Sequence, residues 1–177
     1  MAKIAICRQI SPFFDKQICY KVTEFGGDFI KDYEINEETL ALVALDHENT
    51  KVYELDDEFI VNEQANKIME NSCSYFGSSL DGRQKGTQAL LGITHKAPVI
   101  VEETRNIIFF PTSSPRLKNC SWISLNNLEK AIKKDGKSSI LFKNNKEVNI
   151  NISTGIINNQ ILRATRLESV LRKRKKD

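Results

Sequence analysis

One stretch constrains the fold more than any other. From Asn62 to Phe76, the residues Ala65, Ile68, Met69, Ser72, Cys73 and Phe76 fall at i, i+3, i+4, i+7, i+8 and i+11. That spacing lays them along one face of a helix. Asn62 reads as its N-cap, and Glu63 as a first-turn carboxylate at the positive end of the helix dipole. Gly77 follows directly, where a left-handed C-cap favours a residue without a Cβ.

The chain on either side changes period. Gln17 to Phe25 alternates Ile18, Tyr20 and Val22 with polar neighbours, and Gly26-Gly27-Asp28 reads as a turn. Thr39 to Asp46 and Lys51 to Leu55 form a hairpin across His47-Glu48-Asn49-Thr50, and Phe59-Ile60-Val61 resumes after an acidic break. Gln88 to His95, Val99 to Val101, Asn106 to Phe110 and Cys120 to Leu125 read as further strands, with Trp122 in the core. Pro98 holds Ala97 extended between two of them. Asp135-Gly136 marks a tight bend. Ser138 to Phe142 and Glu147 to Ile152 pair across Lys143-Asn144-Asn145-Lys146. From Gly155 onward, Ile157, Gln160, Ile161, Ala164, Leu167 and Leu171 suit a partly buried helix. The fold class is therefore α+β: an antiparallel-rich sheet with one central helix and a C-terminal helix. A Gly/Ser loop, not a second apolar-periodic helix, follows the first helix, so no helix-turn-helix is recognisable.

Charge divides the chain. Residues 1–70 carry 7 Lys/Arg against 15 Asp/Glu, and residues 71–177 carry 19 against 8. Such asymmetry points the basic part towards a polyanion. The longest apolar run, Leu40 to Leu45, is too short for a membrane span, and Ile4-Ala5-Ile6-Cys7 is too short for a secretory signal. A cytoplasmic chain with no membrane partner is expected. Cys7, Cys19, Cys73 and Cys120 form no C-x-x-C pair and read as free thiols.

The unusual composition lies at Gly77-Ser78-Ser79-Leu80-Asp81-Gly82-Arg83-Gln84-Lys85-Gly86-Thr87. Small residues let a backbone approach another molecule, and hydroxyls, amides and two cations can converge on anionic oxygens. The pattern misses a nucleotide P-loop, because Arg83 replaces the phosphate-reading Lys and Gln84 the magnesium-binding hydroxyl. A tight connector with solvated cations is the alternative. The chain ends Arg172-Lys173-Arg174-Lys175-Lys176, which reads as a disordered basic arm or a solubilising end.

The order of phrases carries a resemblance. Ser72-Cys73, Tyr75-Phe76-Gly77-Ser78-Ser79, Gly82-Arg83, Gly86-Thr87, His95-Lys96-Ala97-Pro98, Phe109-Phe110-Pro111-Thr112 and Trp122-Ile123-Ser124 occur in sequence. A fainter echo runs through Ile152-Ser153, Asn159-Gln160 and Arg163-Ala164. Over roughly residues 40–165 the chain resembles the competence transcription factor ComK family of bacterial DNA-binding activators. The resemblance implies binding to AT-rich promoter boxes on double-stranded DNA, through the minor groove, as a homodimer or homotetramer. It also implies a proteolytic adaptor as a partner, which in some relatives would use a longer C-terminal extension. On this reading residues 1–165 are a single α+β DNA-binding domain, acidic over 1–70 and basic over 71–165, and 166–177 are the helix end and basic tail.

The residue chemistry suggests which side chains would touch DNA. Arg83 is the candidate for groove insertion. Lys85, His95, Lys96, Arg116, Lys118, Arg163, Arg172, Lys173 and Arg174 are candidates for phosphate contacts. Ser78, Ser79, Gly82 and Thr87 would let the backbone approach. No cofactor, metal or catalytic residue is expected: Cys73, His95 and Cys120 have no short-spaced ligand pair among them. The alternatives are a protein-interaction module acting through the acidic half, and a small nucleotide-binding enzyme built on Gly77–Gly86.

Overall fold

The computed structural model describes residues 32–134 and 137–175. The strand expected at Gln17–Phe25, the turn at Gly26–Asp28 and the bend at Asp135–Gly136 lie outside the described residues.

The expected α+β class is observed. A six-stranded antiparallel sheet has the order β3-β2-β1-β6-β5-β4. Its strands are β1 (Thr39–Ala44), β2 (Thr50–Glu54), β3 (Glu58–Val61), β4 (Val99–Glu102), β5 (Ile107–Pro111) and β6 (Trp122–Ser124). A second, three-stranded meander joins β7 (Leu128–Lys134), β8 (Lys137–Phe142) and β9 (Glu147–Ile150). Strands with apolar residues on both faces demand cover on both sides. Ile107 and Phe109 of β5 face one core with Val99 and Val101, whereas Ile108 and Phe110 face another with Ile100.

Helix α1 (Ala65–Tyr75) fills the first core with Ile68, Met69 and Cys73. It begins later than Asn62. The cap is Gln64, without a side-chain bond, while Asn62 bonds to Asn49 Oδ1 instead. Gly77 ends it as expected, at φ 72°. The Ser78 and Gly77 amides donate back to the carbonyls of Cys73 and Ser74 at 2.9 and 3.0 Å. Trp122 is fully buried beside α1, and its Nε1 donates to Asn66 Oδ1 at 2.8 Å. Helix α3 (Thr154–Arg174) and the small sheet close the second core through Ile157, Ala164, Leu167, Ile140 and Phe142.

The main departure from expectation is α2 (Leu80–Leu91). The Gly/Ser stretch and half of the expected strand Gln88–His95 form this helix. Ser79 Oγ accepts from the Gly82 amide at 3.0 Å, and Asp81 lies in the first turn. Gly92, at φ 66°, stops it, and the Gly92 and Ile93 amides both return to the Gln88 carbonyl. Capping at both ends and burial of Leu80, Thr87 and Leu91 override two interior glycines. Helix α1, the turn Phe76–Ser79 and α2 thus have helix-turn-helix connectivity, which the sequence pattern had not revealed. Helix α2 packs on β4, the edge strand, and on α3. No helix among the described residues is long and apolar enough to cross a membrane.

Candidate nucleic-acid interface

Most of the candidate residues gather along the α2–α3 pair, and Arg116 and Lys118 lie apart on the loop between β5 and β6. The helices run antiparallel. Ser78, Gly82 and Arg83 share a groove with Leu167 and Leu171, while the chain just after α2 meets Gln160 and Arg163.

At the first end, α2 starts with Ser79 already committed as its cap. Arg83 is half-buried, and its Nε is buried with no hydrogen-bond partner. Among the described residues no carboxylate forms an ion pair with it. It borders a groove of about 200 Å³. The guanidinium also acts on Cys73: burial pushes that thiol from 9.0 up to about 11, and the Arg83 charge partly opposes this. Thr87 is 2% exposed and lines the groove wall. Lys85 Nζ lies 2.7 Å from Asp81 Oδ2, but both side chains are 71% exposed, so water competes and the pair opens readily. Gly82 has a local reason to be glycine, since a Cβ would lie 2.9 Å from Ser79 Oγ. Gly86 has none: nothing stands within 4 Å of a Cβ there.

At the second end, His95 and Lys96 connect α2 to β4. Lys96 holds φ 51°, unusual for a side chain with a Cβ. Helix α3 clamps this turn. The Gln160 Nε2 donates to the carbonyls of Lys96 at 3.1 Å and Pro111 at 2.7 Å, and the Arg163 Nη1 donates to the His95 carbonyl at 2.9 Å. Arg163 is therefore engaged inside the protein. Lys96 comes near Cys120, where its charge opposes the upward push that burial gives the thiol. Arg116 and Lys118 are exposed on the loop between β5 and β6. Asn66 Nδ2 holds that loop through the carbonyls of Pro115 at 2.7 Å and Leu117 at 3.2 Å.

The basic end of the chain is not a disordered arm as far as Arg174: it is the last turn of α3. Cations there suit the negative end of the helix dipole. Arg172 Nη2 meets Glu168 Oε1 at 3.0 Å, and Lys175 Nζ reaches the Glu103 carbonyl at 2.9 Å. Lys173 and Arg174 are exposed, with no ion pair among the described residues.

Sequence reasoning missed Asn66 and the clamping role of Gln160. Asn66 lies outside the motif phrases, and Gln160 belongs only to the fainter echo at Asn159-Gln160. A glutamine within a helical apolar stripe was the physical signal for Gln160. Among the described residues, no three His, Cys, Asp or Glu side chains gather to hold a metal.

Carboxylates stand at both edges of the large sheet: Glu70 Oε2 accepts from the Leu80 amide at 3.0 Å at the start of α2, and Glu102 and Glu103 lie at the end of β4. The acidic stretch Glu54, Asp56, Asp57 and Glu58 lies on β2, β3 and their connection, at the edge of the large sheet farthest from β4 and α2.

Comparison with known proteins agrees with the motif order. A family model described as ComK protein matches residues 30–176. The chain belongs to the ComK family. A relative, the competence transcription factor of Bacillus subtilis (strain 168), is 33% identical over 145 residues, covering 79% of this chain and 75% of its own. No solved structure matches significantly. The family match extends past both ends of the motif series, to include the acidic hairpin and all of α3. For this ComK-family chain, the α2–α3 surface gathers most of the candidate cations, and the loop after β5 carries Arg116 and Lys118.

Proposed function

We propose that this chain is a transcriptional regulator of competence that binds AT-rich double-stranded DNA through the minor groove, as a dimer or higher oligomer. The observation that carries the reading is the gathering of Arg83, Lys85, Lys96, Lys173 and Arg174 along the α2–α3 pair, where the α3 carboxylate Glu168 is already engaged by Asn106 and Arg172. Cations gathered on one surface attract a polyanion before contact. Arg83, half-buried and in no ion pair among the described residues, supplies a guanidinium suited to the strongly negative, narrow groove of AT tracts. Gly82 and Gly86 leave the exposed side of α2 bare, so a phosphate backbone can come close. Lys85, Lys96, Arg116, Lys118, Lys173 and Arg174 supply phosphate contacts that position without reading sequence. The role is non-catalytic.

The deciding experiment is a titration of the full chain against AT-rich and GC-rich duplexes of equal length, with and without distamycin, which occupies AT minor grooves. Tighter AT binding, lost to distamycin, supports the reading. Equal binding to both duplexes, or no binding, removes it.

The α1–turn–α2 connectivity favours a second reading, in which α2 enters the major groove as a recognition helix. Insensitivity to distamycin, with loss of binding when the duplex is methylated at guanine N7, would select it.

A further inference from the structure

Helix α3 has an outward crest that takes no part in the interior. Asn159, Leu162, Arg166, Ser169 and Lys173 recur at i, i+3, i+7, i+10 and i+14, and all are exposed. They lie opposite Ile157, Gln160, Ala164 and Leu167, which are buried. Leu162 is 68% exposed, the most exposed large apolar side chain among the described residues. It stands in polar surroundings. The one carboxylate of α3, Glu168, is held by Asn106 Nδ2 at 2.9 Å and by Arg172 Nη2 at 3.0 Å, so the crest itself carries only neutral and positive groups.

The charge selects the occupant. A second copy laid crest to crest would add positive charge to positive charge, with no crest carboxylate on either copy to offset it. A polyanion meets no such opposition. The crest spans about 21 Å at the helical rise, enough to follow roughly six phosphates of one DNA strand.

A helix is about 10–12 Å across, whereas the B-DNA minor groove is only about 6 Å wide. A helix enters that groove only where something prises it open. Proteins that do so push an apolar side chain between two bases, and AT-rich DNA supplies easily unstacked pyrimidine–purine steps. We propose that Leu162 is such a wedge. It unstacks one base step from the minor-groove side, Asn159 donates to the exposed base acceptors beside it, and Arg166 and Lys173 hold the flanking phosphates. This rests on the DNA-binding reading above and adds the element that deforms the duplex; the crest lies on the side of α3 opposite Leu167, so the wedge and the Arg83 groove address different stretches of the duplex.

The test uses the full chain and AT-rich duplexes carrying 2-aminopurine at single adenine positions, with fluorescent labels at both ends to report bending. Leu162 is exposed, so Leu162→Ala leaves folding intact, and Leu162→Met retains an apolar wedge. The wild type is expected to raise 2-aminopurine emission at one step and to shorten the end-to-end distance. Leu162→Ala should lose both signals and roughly tenfold in affinity, while Leu162→Met keeps them. Arg166→Ala should weaken binding yet still unstack the duplex. If Leu162→Ala unstacks and bends DNA as the wild type does, the wedge is overturned and the DNA-binding reading survives. The wedge also falls if replacing thymine by uracil weakens wild-type binding, since the lost methyl lies in the major groove. It falls again if Leu162→Ala changes only the sedimentation coefficient, which marks a protein contact. Failure of the wild type to bind AT-rich DNA overturns both proposals.

Discussion

Gln160 reaches from α3 to the carbonyl of Pro111, donating from Nε2 at 2.7 Å, and the same amide group serves Lys96 at 3.1 Å. One buried side chain thus ties the helix to the end of β5 and to the strained turn that enters β4. Replacing it by leucine leaves two carbonyls without their donor, and the second of them belongs to a residue held at φ 51°. Gln160→Leu is expected to destabilise the fold by about 2–4 kcal/mol, read from urea denaturation. Arg163→Ala, at a more exposed site, should cost about 1 kcal/mol. Equal effects of the two would show that the clamp is not centred on Gln160.

Gly86 separates stability from function. It sits in the helical interior with open space around the missing Cβ. Gly86→Ala is expected to stabilise the protein by about 0.5–1 kcal/mol, seen as a higher melting temperature. The added methyl stands on the exposed side of α2, so affinity for an AT-rich duplex should fall several-fold. Gly92→Ala is the contrast: φ 66° makes a Cβ costly, and a loss of about 1 kcal/mol is expected. A Gly86→Ala protein that is more stable and binds DNA unchanged would place the contact elsewhere.

The cations at the end of α3 are not equivalent. Lys173 and Arg174 are exposed and in no ion pair among the described residues, whereas Arg172 and Lys175 are engaged by Glu168 and Glu103. Neutralising Lys173 and Arg174 together should lower the slope of log affinity against log salt by about two. Neutralising Arg172 and Lys175 should lower it by less. The measurement is a binding titration at several salt concentrations, and identical slopes for the two double variants would contradict the assignment.

Cys73 gives an alkaline signature. Burial raises its thiol to about 11 from 9.0, so the folded state keeps a proton that the unfolded chain gives up. Stability from this source is complete below the unfolded value. It declines as pH rises above 9.0, until it is lost beyond about 11. The span corresponds to about 2–3 kcal/mol. The stability difference between wild type and Cys73→Ala, followed by denaturant titration, should therefore shrink between these pH values. A difference that stays constant would mean that Cys73 is not protected by its surroundings.

Much of the fold is legible in the residues. Helix α1 was readable because its apolar period is dense and Gly77 ends it. The hairpins of β1–β2 and β8–β9 were readable because apolar and polar residues change at strand spacing around polar turns. Helix α2 was not. Its buried face includes Thr87, with Arg83 and Gln84 half-buried, and its interior contains Gly82 and Gly86. No local preference marks such a segment. Two caps and an uncovered sheet edge supply what propensity lacks.

The same division holds for the candidate site. Composition and order alone determined the charge asymmetry of this chain, which family it belongs to, and which cationic residues it has. Tertiary structure decided which of them are free. Arg163 and Arg83 look alike in the sequence, yet Arg163 Nη1 is held by a carbonyl 68 positions away, while Arg83 enters no ion pair among the described residues. A cation's charge is intrinsic to its residue, but its availability depends on acceptors that only folding brings within hydrogen-bond reach.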